Sequence, residues 1–121
     1  MANIETSLKE AMTIDGAIGV ALVDHTSGLT LGTLGGGAVM DMNIAAAGNT
    51  DVVRAKLRTL DMLGFSDGIE DILITLDSQY HLIRLLAGSQ GLFLYLSLNK
   101  SRANLGLARH QLRKIEAELE I

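Results

Sequence analysis

The fold of this 121-residue chain is decided by residues 17–37, AIGVALVDHTSGLTLGTLGGG. In its first part, bulky side chains at positions 18, 20 and 22 alternate with the small residues Ala17, Gly19 and Ala21. Successive side chains of a strand point to opposite faces, so this alternation predicts a strand with one bulky and one narrow face. We expect the narrow face to allow close approach of a helix or another backbone.

The rest of this stretch predicts a hairpin rather than a phosphate-binding loop. DHTSG, residues 24–28, carries turn residues, and Gly28 is free to adopt a positive φ before the partner strand LTLGTL, residues 29–34. A phosphate loop needs a lysine and a hydroxyl after its glycines, whereas residues 35–37 are followed by Ala38-Val39-Met40-Asp41. We therefore expect a flexible connection here, with no nucleotide site and no cofactor.

A helical period follows from about Asp41 to Leu63, and it carries two apolar stripes. Val53, Leu57 and Leu60 form the first stripe. The second is made of small or apolar residues at helical spacing: Gly48, Val52, Ala55, Thr59 and Met62. A glycine inside a helix costs about 1 kcal/mol relative to alanine, so its presence indicates close packing of this stripe against another helix.

The remaining segments complete the order α-β-β-α-β-β-β-α. Ile4, Leu8 and Met12 predict a short first helix capped by Asn3. Three strands follow the central helix, in EDILITLD (70–77), YHLIRLLA (80–87) and LFLYLSL (92–98), and their short connections require antiparallel pairing. A last amphipathic helix, for which Asn99 or Ser101 is the expected N-cap, has its apolar positions at Leu105, Ala108, Leu112, Ile115 and Leu119. We predict a single α+β domain spanning residues 1–121.

The composition excludes several classes of function. The net charge is −4, and aromatic residues make up 3% of the chain, which argues against nucleic-acid binding. There is no cysteine and no run of about 20 apolar residues, so disulfides, thiolate metal sites and membrane insertion are not expected. The amphipathic start does not resemble a signal peptide, and we expect a cytoplasmic protein.

No residue pattern predicts catalysis or metal binding. His25, His81 and His110 lack a second histidine or carboxylate at helical metal spacing. Ser89 lies in GSQG rather than in the GxSxG of a nucleophile elbow. We therefore expect that the protein is not an enzyme and binds no metal.

The second apolar stripe of the central helix and the uncharged edge of the second hairpin strand favour self-association. The second hairpin strand ends beside glycines and carries no charge to protect its edge, whereas monomers usually protect such edges. We expect a homodimer with helix against helix and edge strand against edge strand. The expected interface consists of Thr30, Gly32, Leu34, Gly48, Val52, Ala55, Thr59 and Met62. Val52→Glu or Gly32→Glu should then give monomeric or insoluble protein. The alternative is that the second stripe packs internally against the N-terminal helix.

From Ile14 to Leu119 the sequence resembles the Roadblock/LC7 family. The resemblance is carried by IDGAIGVALVDHTSGLTLGTLG, AAAGNTDVVRAKLRTLDML, IEDILITLDSQYHLIRLL and GLFLYLSLNKSRANLGLARHQLRKIEAEL. It implies a profilin-like five-stranded antiparallel sheet with the central helix on one face and the terminal helices on the other. It also implies a homodimer, sometimes a heterodimer, in which the second strands pair across the two-fold axis and extend the sheet while the central helices pack together. Bacterial and archaeal members of the family work with Ras-like small GTPases. GNTDVVRAK and QYHLIR resemble most the actinobacterial type, which is often found with a sensor kinase and a GTPase.

The function implied by this resemblance is that of a homodimeric scaffold that binds and modulates a small GTPase, in some systems together with a sensor kinase. Arg54, Arg58 and Arg84 are the candidates for charged contacts with that partner. A PAS- or profilin-like ligand-sensing module, or a motor or cargo adaptor, is the alternative. A ligand module would need a large pocket with converging polar groups.

Overall fold

The computed structural model describes residues 1–121 and confirms the order of elements. The helices and strands are α1 (Ile4–Ala11), β1 (Ala17–Asp24), β2 (Thr30–Gly35), α2 (Met42–Met62), β3 (Asp71–Thr75), β4 (Gln79–Leu85), β5 (Leu92–Asn99) and α3 (Leu105–Glu118). Every predicted element is present. None of the three helices combines the length and the apolar character that crossing a bilayer requires.

All five strands form one antiparallel sheet in the order β2-β1-β5-β4-β3. β5 is the central strand and β1 lies between β5 and β2, and most residues of both strands are buried. The two edges are β2, whose register with β1 shifts between Leu22 and Val23, and β3, whose register with β4 is regular. The sheet therefore leaves one edge on each side that no strand of the chain pairs with.

The two faces of the sheet carry separate cores, as the alternation in β1 and β5 predicts. Leu94, Leu96 and Leu98 of β5 belong to the core under α1 and α3, which also contains Leu8 and Leu112. On the opposite face, α2 covers a second core whose buried members are Ala21, Val23, Met42, Ala46, Val53, Ile83, Phe93 and Tyr95. The central helix thus lies on one face and both terminal helices lie on the other.

The narrow face of β1 is where the start of α2 packs. A Cβ placed on Gly19 would lie 3.1 Å from the Met42 Cε atom and 3.1 Å from the Gly36 backbone nitrogen. Gly36 itself has φ +82°, which favours glycine, and its N–H donates to the Ile18 carbonyl at 2.7 Å. The glycines before α2 therefore build a tight connection that brings the helix onto the sheet.

The helix caps confirm one sequence expectation and correct another. Asn3 caps α1 as predicted, and Asp41 caps α2 by accepting from the Asn43 and Ile44 N–H groups. The cap of α3 is Asn104, whose side chain accepts from the Leu107 N–H at 3.0 Å, so the expectation of Asn99 or Ser101 was wrong. Asn99 instead accepts from Ser101 within the turn that follows β5, because the helix begins later than expected.

Candidate self-association and partner surface

The second stripe of α2 lies on the surface of the chain. Gly48 is exposed, and a Cβ placed on it would have no atom within 4 Å. Ala55 and Met62 are also exposed, while Val52 and Thr59 are partly buried, and Val52 packs against the α2 core. α1 packs on the opposite face of the sheet, so internal packing of this stripe against the N-terminal helix is excluded. A small-residue stripe without a partner in its own chain remains.

Large apolar side chains extend this stripe beyond both of its ends. Ile44, one turn before Gly48, is 72% exposed, and Met62 at the other end is equally exposed. Val39 before the helix and Leu63 and Phe65 after it are exposed as well. Sequence reasoning missed these residues, although the spacing of four between Ile44 and Gly48 could have identified the first. We refer to residues 44, 48, 52, 55, 59 and 62 as the α2 surface.

The expected β2 residues do not all face the α2 side of the sheet. Leu34 is paired with Val20 and Gly32 with Leu22, both of which belong to the core under α1. A Cβ on Gly32 would lie 2.9 Å from the Leu8 Cδ1 atom, so this glycine makes room for α1 of its own chain. Gly32→Glu would therefore disturb the isolated chain and is unsuitable as a test of association.

Other β2 residues therefore share a face with the α2 surface. Thr33 is paired with Ala21 and Thr30 with Val23, both of the α2 core, so both threonines point to the α2 side, whereas Leu31 lies at the register shift between them. Leu31 is exposed, and Thr30 at the start of the strand is partly buried. Part of the free β2 edge and the α2 surface thus lie on the same face of the sheet.

Two of the three candidate arginines have partners inside the chain. Arg54 Nε donates to the His25 carbonyl at 2.6 Å and Nη2 donates to the Thr26 carbonyl at 3.1 Å, so its guanidinium ties α2 to the β1–β2 turn. Arg84 Nε donates to Glu116 of α3 in an ion pair whose side chains are each only 12% exposed. Arg58 is exposed on α2 and takes part in none of the ion pairs.

The β1–β2 turn to which Arg54 binds is internally ordered. Asp24 Oδ1 accepts from the Thr26 hydroxyl at 2.6 Å and from the Thr26 N–H at 2.8 Å. These bonds stabilise the charged carboxylate and lower the pKa of Asp24. Gly28 closes the turn with φ +81°, as its position predicts.

A polar group of side chains lies on the α2 face of the sheet. The Tyr95 hydroxyl donates to the Met40 Sδ atom at 3.6 Å, and burial raises the pKa of Tyr95. The His81 ring meets the Tyr95 ring edge-on, with 5.5 Å between centroids, and His81 Nε2 lies 2.8 Å from Gln79 Oε1. Burial lowers the pKa of His81 because the charged imidazolium is poorly solvated there.

We expect the stability of the fold to decrease at acid pH through His81. Its folded-state pKa lies below the reference value of 6.5, so the unfolded chain binds the proton more readily and stability falls as pH decreases below that value. Melting temperatures at about pH 7.5 and about pH 5 should therefore differ more for the wild type than for His81→Phe. An equal pH dependence of both proteins would show that His81 does not contribute.

The chain contains an open groove rather than an enclosed ligand cavity. The groove measures about 790 Å³ and lies at the end of the sheet between the β1–β2 turn, the segment before β3 and the β4–β5 turn. Its apolar lining includes Leu57, Ile69 and Leu92, whereas the hydroxyl of Thr26 in its wall is already bonded to Asp24. No group of three or more potential metal ligands exists in the chain.

Comparisons with known proteins identify the fold from structure alone. No family model matches the sequence, and no curated protein matches it. The Roadblock/LC7 domain from Streptomyces avermitilis matches with a TM-score of 0.79 and 11% identity, over 96% of this chain and 93% of that chain. Myxococcus xanthus MglB matches with a TM-score of 0.75 and 18% identity, over 93% and 85% of the two chains. The gliding protein MglB from Thermus thermophilus matches with a TM-score of 0.69 and 17% identity, over 94% and 88%. The chain therefore has the Roadblock/LC7-type fold.

Proposed function

We propose that the protein is a homodimeric scaffold that binds and modulates a Ras-like small GTPase. The observation that carries the proposal is the α2 surface beside the unpaired β2 edge. Both are features that one chain leaves incomplete, and both lie on the same side of the molecule. The sequence resemblance to Roadblock/LC7 proteins and the structural likeness to MglB support the choice of partner class.

In the proposed dimer, two α2 helices pack antiparallel across a two-fold axis while the β2 strands pair edge to edge. Gly48 lets the helix backbones approach closely, because no side chain separates them there. Antiparallel packing brings Ile44 at the start of one helix towards Met62 at the end of the other. The contact would cover side chains that are each 72% exposed in the single chain.

The arginines determine how such a dimer would act on the GTPase. Arg54 and Arg84 are held within the chain by hydrogen bonds, so neither is available without breaking these contacts. Arg58 is exposed on α2 and can approach acidic groups of a partner. We therefore propose that modulation occurs by holding the GTPase in one conformation, with Arg58 as a binding residue and no catalytic residue supplied by this chain.

The proposal is tested by mixing the purified protein with a Ras-like GTPase from the same organism, loaded with GDP or with a GTP analogue. We expect a complex in at least one nucleotide state and a changed rate of GTP hydrolysis. Arg58→Ala should weaken the complex, whereas Arg113→Ala, on an exposed position of α3, should not. Absence of binding in both nucleotide states would contradict the proposed function.

The two alternatives differ from this proposal in measurable ways. A ligand-sensing module would retain a small molecule, visible as added mass in native mass spectrometry, and the open groove at the end of the sheet would hold it. A motor or cargo adaptor would use the same dimer but bind a peptide segment without any dependence on nucleotide. Because the groove is open to solvent, it does not favour a site that encloses a ligand or binds it tightly, as a ligand-sensing module would require.

A further inference from the structure

A positively charged surface lies along α3 and the turn before it, on the opposite face of the sheet from α2. Residues 100–114 contain five of the ten lysines and arginines of the chain and no aspartate or glutamate. The net charge of the whole chain is −4, so this segment is locally positive within an acidic protein. Such an asymmetry indicates a surface that attracts an acidic partner.

Three of these five cations are free of ion pairs and of aromatic contacts. Arg109 is bound to Asp71 by two hydrogen bonds, at 3.0 and 3.1 Å, and Lys100 Nζ lies 5.8 Å from the centre of the Tyr80 ring. The remaining three are exposed and take part in none of the ion pairs: Arg102, Arg113 and Lys114. We refer to these three residues as the basic α3 face.

The carboxylates that follow Lys114 do not neutralise this face. Glu116 accepts from Arg84 Nε through one oxygen and from the Ala87 N–H through the other. Glu118 Oε2 lies 3.4 Å from the amino-terminal nitrogen. Only Glu120, beyond the end of α3, takes part in no ion pair. The charges of the basic α3 face therefore remain available to a partner.

Arg113 lines a groove of about 400 Å³ between α3 and the β4–β5 turn. Gly88 and Ser89 of that turn line the same groove, and neither of their N–H groups donates to an acceptor within the chain. The Ser89 hydroxyl takes part in no hydrogen bond either. A guanidinium group, two backbone donors and a hydroxyl thus lie around one groove. A carboxylate can accept from all of them, and its bonds to the guanidinium group are charge-assisted.

We propose that this groove and the basic α3 face bind an acidic segment of a partner protein, with one carboxylate of the segment in the groove against Arg113. Lys114, the next residue of α3, lies about 100° around the helix and attracts a second carboxylate. Because α3 and α2 cover opposite faces of the sheet, the bound segment leaves the α2 surface free. The inference therefore does not rest on the proposed function, and a scaffold could hold both partners at once.

An acidic segment fits this face better than other anionic surfaces do. α3 contains no aromatic residue on which a nucleic-acid base could stack. A flat anionic bilayer would also meet Glu10, which lies across a second groove from Lys114, and the exposed Glu120. Leu107 is the only large apolar side chain exposed on α3, which is too little for membrane anchoring.

The test measures the fluorescence anisotropy of a labelled peptide that alternates glutamate and serine, at about 0.05 M and about 0.15 M salt. We expect one peptide bound per chain, with an affinity that decreases as salt increases. Arg113→Gln/Lys114→Gln should weaken binding roughly fivefold to tenfold, because it removes two ion pairs with the peptide. Lys56→Gln/Arg58→Gln is the matched control, since it removes two exposed cations from α2, and it should weaken binding by less than about twofold.

Ser89→Asp tests the groove itself, because it keeps every cation and places a carboxylate beside Arg113. It should weaken peptide binding by a factor similar to that of Arg113→Gln/Lys114→Gln, and thermal melts should show that all variants remain folded. The inference is overturned if the peptide does not bind at either salt concentration or if Ser89→Asp has no effect. Equal weakening by the two double variants would also overturn it, since binding would then follow net charge alone. Tighter binding of phosphatidylserine vesicles or of single-stranded DNA than of the peptide would exclude an acidic protein segment as the partner.

Discussion

Gly48→Glu should convert the protein into a folded monomer. A Cβ at this position meets no atom of its own chain within 4 Å, so the isolated fold accommodates the glutamate without a clash. Replacing a helical glycine also removes a cost of about 1 kcal/mol, which should raise the stability of the single chain. In the dimer, however, the carboxylate would be buried between two helices without a counter-charge, at a cost of several kcal/mol.

The measurement is molar mass by light scattering, together with a thermal melt followed by circular dichroism. We expect the dissociation constant of the dimer to rise by at least about 100-fold, since every 1.4 kcal/mol is a factor of ten. Ala47→Glu is the matched control, because Ala47 is exposed and lies about 100° around the helix from Gly48. A Gly48→Glu protein that remains a dimer of unchanged affinity would exclude the α2 surface as the contact.

The order of elements could be predicted because each has its own period in the sequence. β5 alternates between leucines and Phe93, Tyr95 and Ser97, and the structure places these two sets on different faces of the sheet. Gly28 marked a turn that needs a positive φ. Local chemistry of this kind acts over a few residues, so it remains visible without knowledge of the tertiary structure.

The candidate surface was only partly predictable, because exposure depends on elements that are distant in sequence. Gly32 looked like an edge residue, yet it makes room for Leu8, which precedes it by 24 positions. Arg54 and Arg84 looked free, but their partners are carbonyls and a carboxylate on other elements. Val39 and Phe65 lie outside the regular elements, where no period indicates which side chains are covered.

Glu116→Ala should be the most destabilising substitution of a charged residue in the chain. Glu116 accepts from Arg84 Nε through one carboxylate oxygen and from the Ala87 N–H, at 2.8 Å, through the other. Arg84 Nη1 is buried and has no hydrogen-bond partner. The bond from Nε to Glu116 is therefore the only hydrogen bond that the Arg84 side chain makes within the protein. Its loss would leave a buried cation uncompensated and detach the β4–β5 turn from α3, at a cost of about 3 kcal/mol.

Urea denaturation measures the loss of stability caused by Glu116→Ala best in the Gly48→Glu background. There the dimer should already be dissociated, so dissociation should not contribute to the midpoint of unfolding. Glu5→Ala is the matched control, because Glu5 pairs with Lys9 at 3.0 Å but both side chains are largely exposed. Its loss should change the free energy of unfolding by only a few tenths of a kcal/mol. Equal effects of Glu116→Ala and Glu5→Ala would contradict the assignment of a buried, uncompensated charge.

The double variant Arg84→Met/Glu116→Leu distinguishes the cause of the effect. If the single change is costly because it leaves a charge buried, replacing both groups by apolar side chains should recover much of the lost stability. If the double variant is as unstable as Glu116→Ala, the bond from the Ala87 N–H must be the larger contribution. In that case α3 is held mainly through the β4–β5 turn rather than through the ion pair with β4.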